Sequence, residues 1–517
     1  MSASLATSNR KAISLFLLRL IRSVISILTL ILSARYFGVS SDRDAWLLAF
    51  NSIVVINLAF WGPLNETFRT QFIFIKEQDG ESSAINRINS LFFFVSIISI
   101  FIVVVIFLYP NLYTSLIAPG KTTSELNTLT LILKLLLPSL LLNQFTLLLS
   151  SILNSYNIFY IPEIAGSISS IFNVLALLVL APKIGIYSLV ISYYFGLIVL
   201  GIFLFHELGR NKIRLFKPPF ELKYSHVKPY LLYAIPFFFP YFFGQLNAIF
   251  EKSIASLLGD GIVSIQDYSR KFIDIPSGVL ISVLTTVLVP ILSKAFAQKN
   301  LDQFEAEFKS IFRLGLFVLG FLLSFFIMCS SDVVTLFYAS KNIGRESLYT
   351  ISTLSICYCV SVISVFYYSI TGLALMSVNQ GKIYATCGVL AQICMLSLNF
   401  LFYKKLGIYI FPASLFLAHI SAALVMTLKL NFLTKTILIN LLSYLIFTTA
   451  LGFLCYTSNY YYFSKLSWNS LYLIIIKGTS LTATVIALLF ILKMDERLFI
   501  QKGYYRVRSG INQFISK

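Results

Sequence analysis

Ser90-Leu91-Phe92-Phe93-Phe94-Val95-Ser96-Ile97-Ile98-Ser99-Ile100-Phe101-Ile102-Val103-Val104-Val105-Ile106-Phe107-Leu108-Tyr109 carries no charged side chain. It matches the ~20 apolar residues that an α-helix needs to cross a ~30 Å hydrocarbon core. Similar stretches follow one another along the 517 residues, separated by short polar breaks. Of the whole chain, 58% is hydrophobic and only 12% charged, where a water-soluble domain carries roughly a quarter charged residues. A water-soluble fold is excluded. The pattern predicts an all-α, polytopic membrane protein with helices at 13–37, 45–76, 90–109, 128–153, 159–182, 184–206, 229–258, 271–293, 313–337, 348–377, 382–403, 408–428, 436–456 and 470–492.

Charge sets the expected orientation. Arg10-Lys11 precede an apolar stretch too long for a cleavable signal, so the first helix is expected to be retained with the N-terminus in the cytoplasm. Both termini are then cytoplasmic, with roughly 23 Lys/Arg in inner loops and tails against roughly 9 in outer ones, as the positive-inside rule requires. Much of that asymmetry lies in the loops 207–228 and 294–312. The net charge of +19 is read as topology plus attraction to anionic membrane lipids. No nucleic-acid partner is expected, because that would need a soluble basic face.

Three features recur about 222 residues apart: Gly38 with Gly259, Asn157 of Ser155-Tyr156-Asn157 with Asn379 of Ser377-Val378-Asn379, and Lys183-Ile184-Gly185-Ile186-Tyr187 with Lys405-Leu406-Gly407-Ile408-Tyr409. The offset spans six helices, an even number, so the two copies share one orientation, as in parallel-repeat transporters. The expected organisation is a lobe at 1–206, a basic cytoplasmic linker at 207–228, a second lobe at 229–428, two further helices in 429–492 and a basic cytoplasmic tail at 493–517.

A charge at the centre of a membrane helix costs roughly 2.5–3.5 kcal/mol on insertion scales, so such residues are the best site markers. Arg19 and Arg22 share one face of the first helix, and Glu66 and Arg69 repeat that spacing on the second. Arg35 and Asp44 stand farther along, and Glu251, Lys252, Arg270, Lys271 and Asp274 form the corresponding group in the second lobe. The expected anion-binding residues are Arg19, Arg22, Arg35, Arg69, Lys252, Arg270 and Lys271, with Asp44, Glu66, Glu251 and Asp274 as charge partners. Lys134 and Lys477 are read as helix-end or lipid-facing residues. Prolines 63, 138, 162, 236, 240, 276 and 290 are expected to interrupt helices, with Pro63, Pro236, Pro240, Pro276 and Pro290 as gate or hinge positions. Three isolated histidines and six cysteines in apolar segments supply neither a metal set nor a catalytic centre. No enzyme activity, metal or cofactor is expected, and a coupling ion is left open.

Ala34-Arg35-Tyr36-Phe37-Gly38, followed by Asp44-Ala45 and Ala49-Phe50, resembles the first-loop signature of the MurJ/MviN lipid II flippase family. Further matches are Gly62 with Phe68, Ala255-Ser256 with Gly261, Val263-Ser264 and Tyr268, and Pro276-Ser277-Gly278-Val279 running to Pro290 and Leu292-Ser293. The resemblance covers the first twelve helices. It implies a MATE-like two-lobed fold in a bacterial cytoplasmic membrane and export of a polyprenyl-diphosphate-linked saccharide by alternating access. It places Asp44 on the family's acidic residue, Arg35 on its arginine before Phe-Gly, and Lys271 where it has a cavity arginine. Ser23, with Arg22 beside it, Thr29 and Asn57 stand where the family has arginines, and Trp61 where it has an acid. Those departures leave room for a polysaccharide repeat unit as cargo, and the oligomeric state is left open, with a monomer plausible. Two rival readings are a proton- or sodium-coupled antiporter, which wants more acid than base in its path, and a membrane glycosyltransferase or ligase, which wants outer-loop carboxylates. The longest outer loop, around 110–127, holds only Glu125.

Overall fold

The computed structural model describes residues 2–216, 222–466, 468–492, 494, 496 and 497, with backbone only for 2–17, 20, 275 and 279–287. The tail expected at 493–517 lies outside the described residues apart from 494, 496 and 497, as do 217–221 of the linker. Among the described residues the regular structure is helical: α1 Ser2–Phe37, α2 Ser41–Asp79, α3 Glu81–Leu108, α4 Pro110–Ile117, α5 Thr123–Leu136, α6 Ser139–Ser155, α7 Tyr160–Ile184, α8 Tyr187–Arg210, α9 Tyr224–Leu257, α10 Ile262–Ala297, α11 Leu301–Tyr338, α12 Arg345–Ser377, α13 Gly381–Leu406, α14 Ile410–Lys429, α15 Thr434–Tyr461 and α16 Ser470–Ile491.

Every predicted span has a helical counterpart, with two refinements. The span expected at 128–153 is two helices, α5 and α6, meeting at Pro138 with a 40° bend, and α4 is a short extra helix that begins at Pro110. Among the described residues, nine segments are long and apolar enough to cross a membrane, ten with the bent pair. One of the nine, Gly381–Lys429, comprises α13 and α14, divided by a 3₁₀ turn at Gly407–Tyr409. The exposed residues of α3 include Phe93, Ile97, Ile100, Phe101, Val104 and Leu108, a helical stripe that belongs against lipid.

The prolines correct a sequence expectation. Pro63 lies inside α2, Pro236 and Pro240 inside α9, and Pro276 and Pro290 inside α10, each a single continuous helix. Of the seven prolines named from the sequence, Pro138 alone stands between two helices, α5 and α6. Neighbouring helices in lipid can satisfy the backbone groups that a proline frees; the Thr67 hydroxyl donates to the Pro63 carbonyl at 2.9 Å, the ordinary i−4 bond of a helical threonine.

The repeat is present in backbone detail. Asn157 and Asn379 have φ of 62° and 61°, Gly185 and Gly407 of 58° and 55°, and Gly38 and Gly259 of 61° and 126°. At the asparagines the hydrogen bonds match one for one. Ile158 N donates to Leu153 O and Asn157 N to Asn154 O, while Gln380 N donates to Leu375 O and Asn379 N to Met376 O. These are the paired bonds of a Schellman helix stop, which needs a left-handed residue that asparagine tolerates.

The described chain packs as two compact units. Among the described residues, unit 1 comprises those within 1–268, 340–347 and 388–414, and unit 2 those within 269–339, 348–387 and 415–497. In unit 1 a core of Trp61, Leu64, Phe68, Phe72, Ile88, Leu149, Leu153, Leu204 and Tyr230 holds α2, α3, α6, α8 and α9 together. In unit 2, Met328, Cys329, Val333, Leu451, Cys455, Leu481, Val485 and Leu489 join α11, α15 and α16.

Candidate functional site

The first cluster forms where α6 ends and α7 begins, in unit 1. The left-handed stop at Asn157 turns the chain so that α7 starts at Tyr160 and places Glu163 in its first turn, where the helix dipole favours an acid. Arg19 Nε pairs with Glu163 Oε1 at 2.9 Å, and Arg22 Nη1 lies 3.9 Å from Glu163 Oε2. One helical turn on, Gly166 leaves room for Arg22, since a Cβ there would sit 3.0 Å from its Nη1. Arg69 Nη2 donates to Asn157 Oδ1 at 3.4 Å, and its guanidinium lies 4.7 Å over the Phe159 ring. Three of the expected cations thus converge on residues 157–166. Sequence reading missed Glu163, although an acid in the first turn of an apolar helix was a visible signal.

Glu66 is not the partner of Arg69. No ion pair joins them among the described residues, and Glu66 instead accepts from the Tyr241 hydroxyl at 3.1 Å. Tyr241 also packs against Gly62, one turn back on α2, where an added Cβ would overlap its ring. The cluster keeps a surplus of positive charge, because one carboxylate faces two arginines that remain 58% and 48% exposed. Guanidinium forks match phosphate oxygens in charge and geometry.

The positions that depart from the resembled family are filled without charge. Ser23 and Thr29 turn their hydroxyls back to Arg19 O and Ile25 O on their own helix, the usual i−4 bond of a hydroxyl that meets no other partner. Asn57 accepts from the Gln144 side chain, and Trp61 is buried in the core.

A second cluster surrounds Asp44. Its Oδ2 accepts from Gly261 N at 2.8 Å, and its Oδ1 accepts from Ser264 N at 2.8 Å and Ser264 Oγ at 2.6 Å. Asp44 is therefore an anionic cap on the N-terminus of α10. Lys121 Nζ, in the turn before α5, completes the cluster at 3.4 Å from Asp44, 3.2 Å from Glu125 and 2.6 Å from Asp260. Burial opposes the Lys121 charge, but Asp260, Asp44 and Glu125 together outweigh it and hold its pKa above the ordinary value of 10.5. Tyr268 donates to Gly38 O at 2.9 Å, so Gly38, Asp44, Gly261, Ser264 and Tyr268, scattered in sequence, meet in one place. Arg35 is exposed and pairs with no acid among the described residues, and its carbonyl accepts from Asn342 Nδ2 at 2.8 Å.

Glu251 and Lys252 are adjacent in sequence but point to different partners. Gln266 Nε2 donates to Glu251 Oε1 at 2.6 Å, while Lys252 lies 3.8 Å from Asp267. Buried Arg43 shares that aspartate at 3.7 Å. Arg43 was missed because helix α2 begins at Ser41, four residues earlier than expected, which draws it into the packed first turn, and Asp267 because α10 begins at Ile262, ahead of the expected span at 271–293.

In unit 2, Asp274 pairs with Arg270 at 3.2 Å across one turn, although the sequence drew attention to Lys271, three residues away. Lys271 is half-buried. Lys134 lies in the last turn of α5 with its ammonium 5.2 Å from the Phe107 ring centroid, as a helix-end residue. Lys477 does not face lipid. It is buried, 2.6 Å from Asp332 Oδ2, and donates to Met328 O at 3.2 Å.

Comparison with known proteins places these features. The family model described as "Lipid II flippase MurJ" matches residues 33–477. The lipid II flippase MurJ of Burkholderia cenocepacia is 25% identical over 348 residues, covering 63% of this chain and 64% of that one. A probable lipid II flippase MurJ of Buchnera aphidicola (subsp. Acyrthosiphon pisum) is 26% identical over 398 residues, covering 72% and 73%. Among solved structures, a lipid II flippase MurJ in an inward closed conformation superposes with a TM-score of 0.77 at 19% identity, covering 93% of this chain and 99% of that one. An inward-facing multidrug-resistance MATE transporter of the MOP superfamily follows at TM-score 0.63 and 12% identity, covering 83% and 95%. The matched stretch spans just under two thirds of the Burkholderia relative, and the structural likenesses establish the fold.

Proposed function

The chain belongs to the lipid II flippase MurJ family, and from that premise we propose that it moves a polyprenyl-diphosphate-linked saccharide, lipid II or a polysaccharide repeat unit, from the cytoplasmic to the outer leaflet of a bacterial inner membrane. The observation that carries the reading is the gathering of Arg19, Arg22 and Arg69 on residues 157–166 with Glu163 as the shared carboxylate. The headgroup is an anion that hydrocarbon rejects, while its lipid tail can remain in the bilayer. Exposed guanidiniums inside the apolar part of the chain supply what the headgroup lacks there.

In this reading the lobes at 1–206 and 229–428 alternate in access, with both termini cytoplasmic. Arg19, Arg22 and Arg69 receive the diphosphate, and Arg35, Lys252, Arg270 and Lys271 accept it on the outer side. While no anion is bound, Asp44 holds Lys121 and the start of α10, Asp274 holds Arg270, and Glu66 and Glu251 accept from Tyr241 and Gln266; the proline-bearing stretches around Pro63, Pro236, Pro240, Pro276 and Pro290 flex. Outward movement of negative charge is favoured by an inside-negative potential, at ~2.3 kcal/mol per charge per 100 mV. In this reading no cofactor is required, and the partners are the lipid-linked substrate and membrane lipids. Depletion of the protein in its host tests this directly: lipid-linked precursor should accumulate in the cytoplasmic leaflet. Unchanged precursor distribution would overturn the assignment.

A further inference from the structure

Glu163 sits opposite two arginines, and its position is built rather than incidental. It lies in the first turn of α7, its side chain is 18% exposed, and both carboxylate oxygens are directed at bases on α1. Gly166, one turn along the same helix face, is buried and leaves the space that the Arg22 guanidinium occupies. The arginines themselves stay about half exposed, so each keeps donors free for a second anion.

We infer that Glu163 is a positioning residue that acts as an internal competitor for the headgroup: it holds Arg19 and Arg22 in place when no substrate is bound and takes them back when the substrate leaves. The inference rests on the flippase reading and adds a release function to it. A carboxylate and a diphosphate compete for the same guanidinium forks. An arginine pair without its carboxylate would therefore hold the diphosphate more tightly and surrender it more slowly. This is the case in which stronger ground-state binding lowers turnover.

The full-length protein, reconstituted in liposomes with a fluorescent short-chain lipid II as probe, separates the outcomes. Glu163→Gln should lower the apparent KM and kcat together, each by roughly two- to fivefold, the range that partly exposed ion pairs support. Glu163→Asp should return both toward wild type. A raised KM, or a kcat that falls with KM unchanged, would show Glu163 to be an ordinary structural anchor and overturn the inference. Should Glu163→Gln insert poorly, the reciprocal exchange Arg19→Glu with Glu163→Arg restores the pair: recovered insertion with KM and kcat near wild type supports the inference, and recovered insertion with a raised KM overturns it. If the wild-type protein moves no probe at all, the flippase reading itself fails, an outcome distinct from a Glu163 variant with unaltered kinetics.

Discussion

Glu163 on α7 and Asp332 on α11 are both carboxylates within largely apolar helices, and each approaches a base to less than 3 Å, at 2.9 Å from Arg19 and 2.6 Å from Lys477. Their surroundings differ. Glu163 meets two arginines that are half exposed, whereas Asp332 meets one lysine with 4% of its side chain exposed. The first arrangement leaves positive charge uncompensated and within reach of a ligand. The second is balanced one to one, and the Met328 carbonyl accepts a further hydrogen bond from the ammonium. An intramembrane charge therefore marks a site only when its neighbours leave it unbalanced and accessible. Where they balance and bury it, as at Lys477, it fastens one helix to another.

The largest effect that would break this contrast is at the sealed pair. Lys477→Ala leaves Asp332 buried without its base, at a cost of about 3–5 kcal/mol, and should sharply lower the midpoint of thermal unfolding in detergent. Replacing both residues by leucine should restore most of that loss, since a buried pair often trades evenly for apolar packing. An undiminished midpoint in Lys477→Ala would remove the fastening role.

Next in size is the Asp44 cap. Asp44→Ala orphans two backbone N–H groups and the Ser264 hydroxyl and leaves Lys121 with one acid fewer, for about 2–4 kcal/mol. Hydrogen exchange should speed up at the first turn of α10 before it does elsewhere, and a uniform change along the chain would count against the cap.

Arg19→Gln with Arg22→Gln sharpens the other side of the comparison. Unfolding should move little, because the side chains are half exposed, while export in the liposome assay falls about tenfold or more with the loss of charged hydrogen bonds. A variant that unfolds readily yet transports normally when folded would reverse the two roles.

The smallest effect is in pH. Lys121 has its pKa raised above 10.5, so its stabilising contribution is complete below that value and is lost only as pH rises through the raised pKa. Between pH 6 and 9 the stability difference between wild type and Lys121→Met should stay flat, and a slope there would show that the ammonium is not held by its three acids.

Amino-acid order alone determined the all-helical membrane architecture, because hydrophobic length and short polar breaks are local properties that lipid reads directly. It also exposed the duplication, since Asn157 and Asn379, or Gly185 and Gly407, answer a local backbone demand that few residues meet. Family signature residues such as Asp44, Gly261 and Ser264 were visible as a pattern, though not as one hydrogen-bonded cap. Pairing was the part that only tertiary packing decided. Glu163 with Arg19, Asp267 with Arg43 and Asp332 with Lys477 are brought together from helices distant in the chain. Spacing along one helix had pointed to Glu66 with Arg69 and Lys271 with Asp274, whereas Glu66 meets Tyr241 and Asp274 meets Arg270. Spacing on a helix fixes which face a charge occupies, but the helix packed against that face fixes its partner and its exposure, and those two quantities separate a binding residue from a fastener.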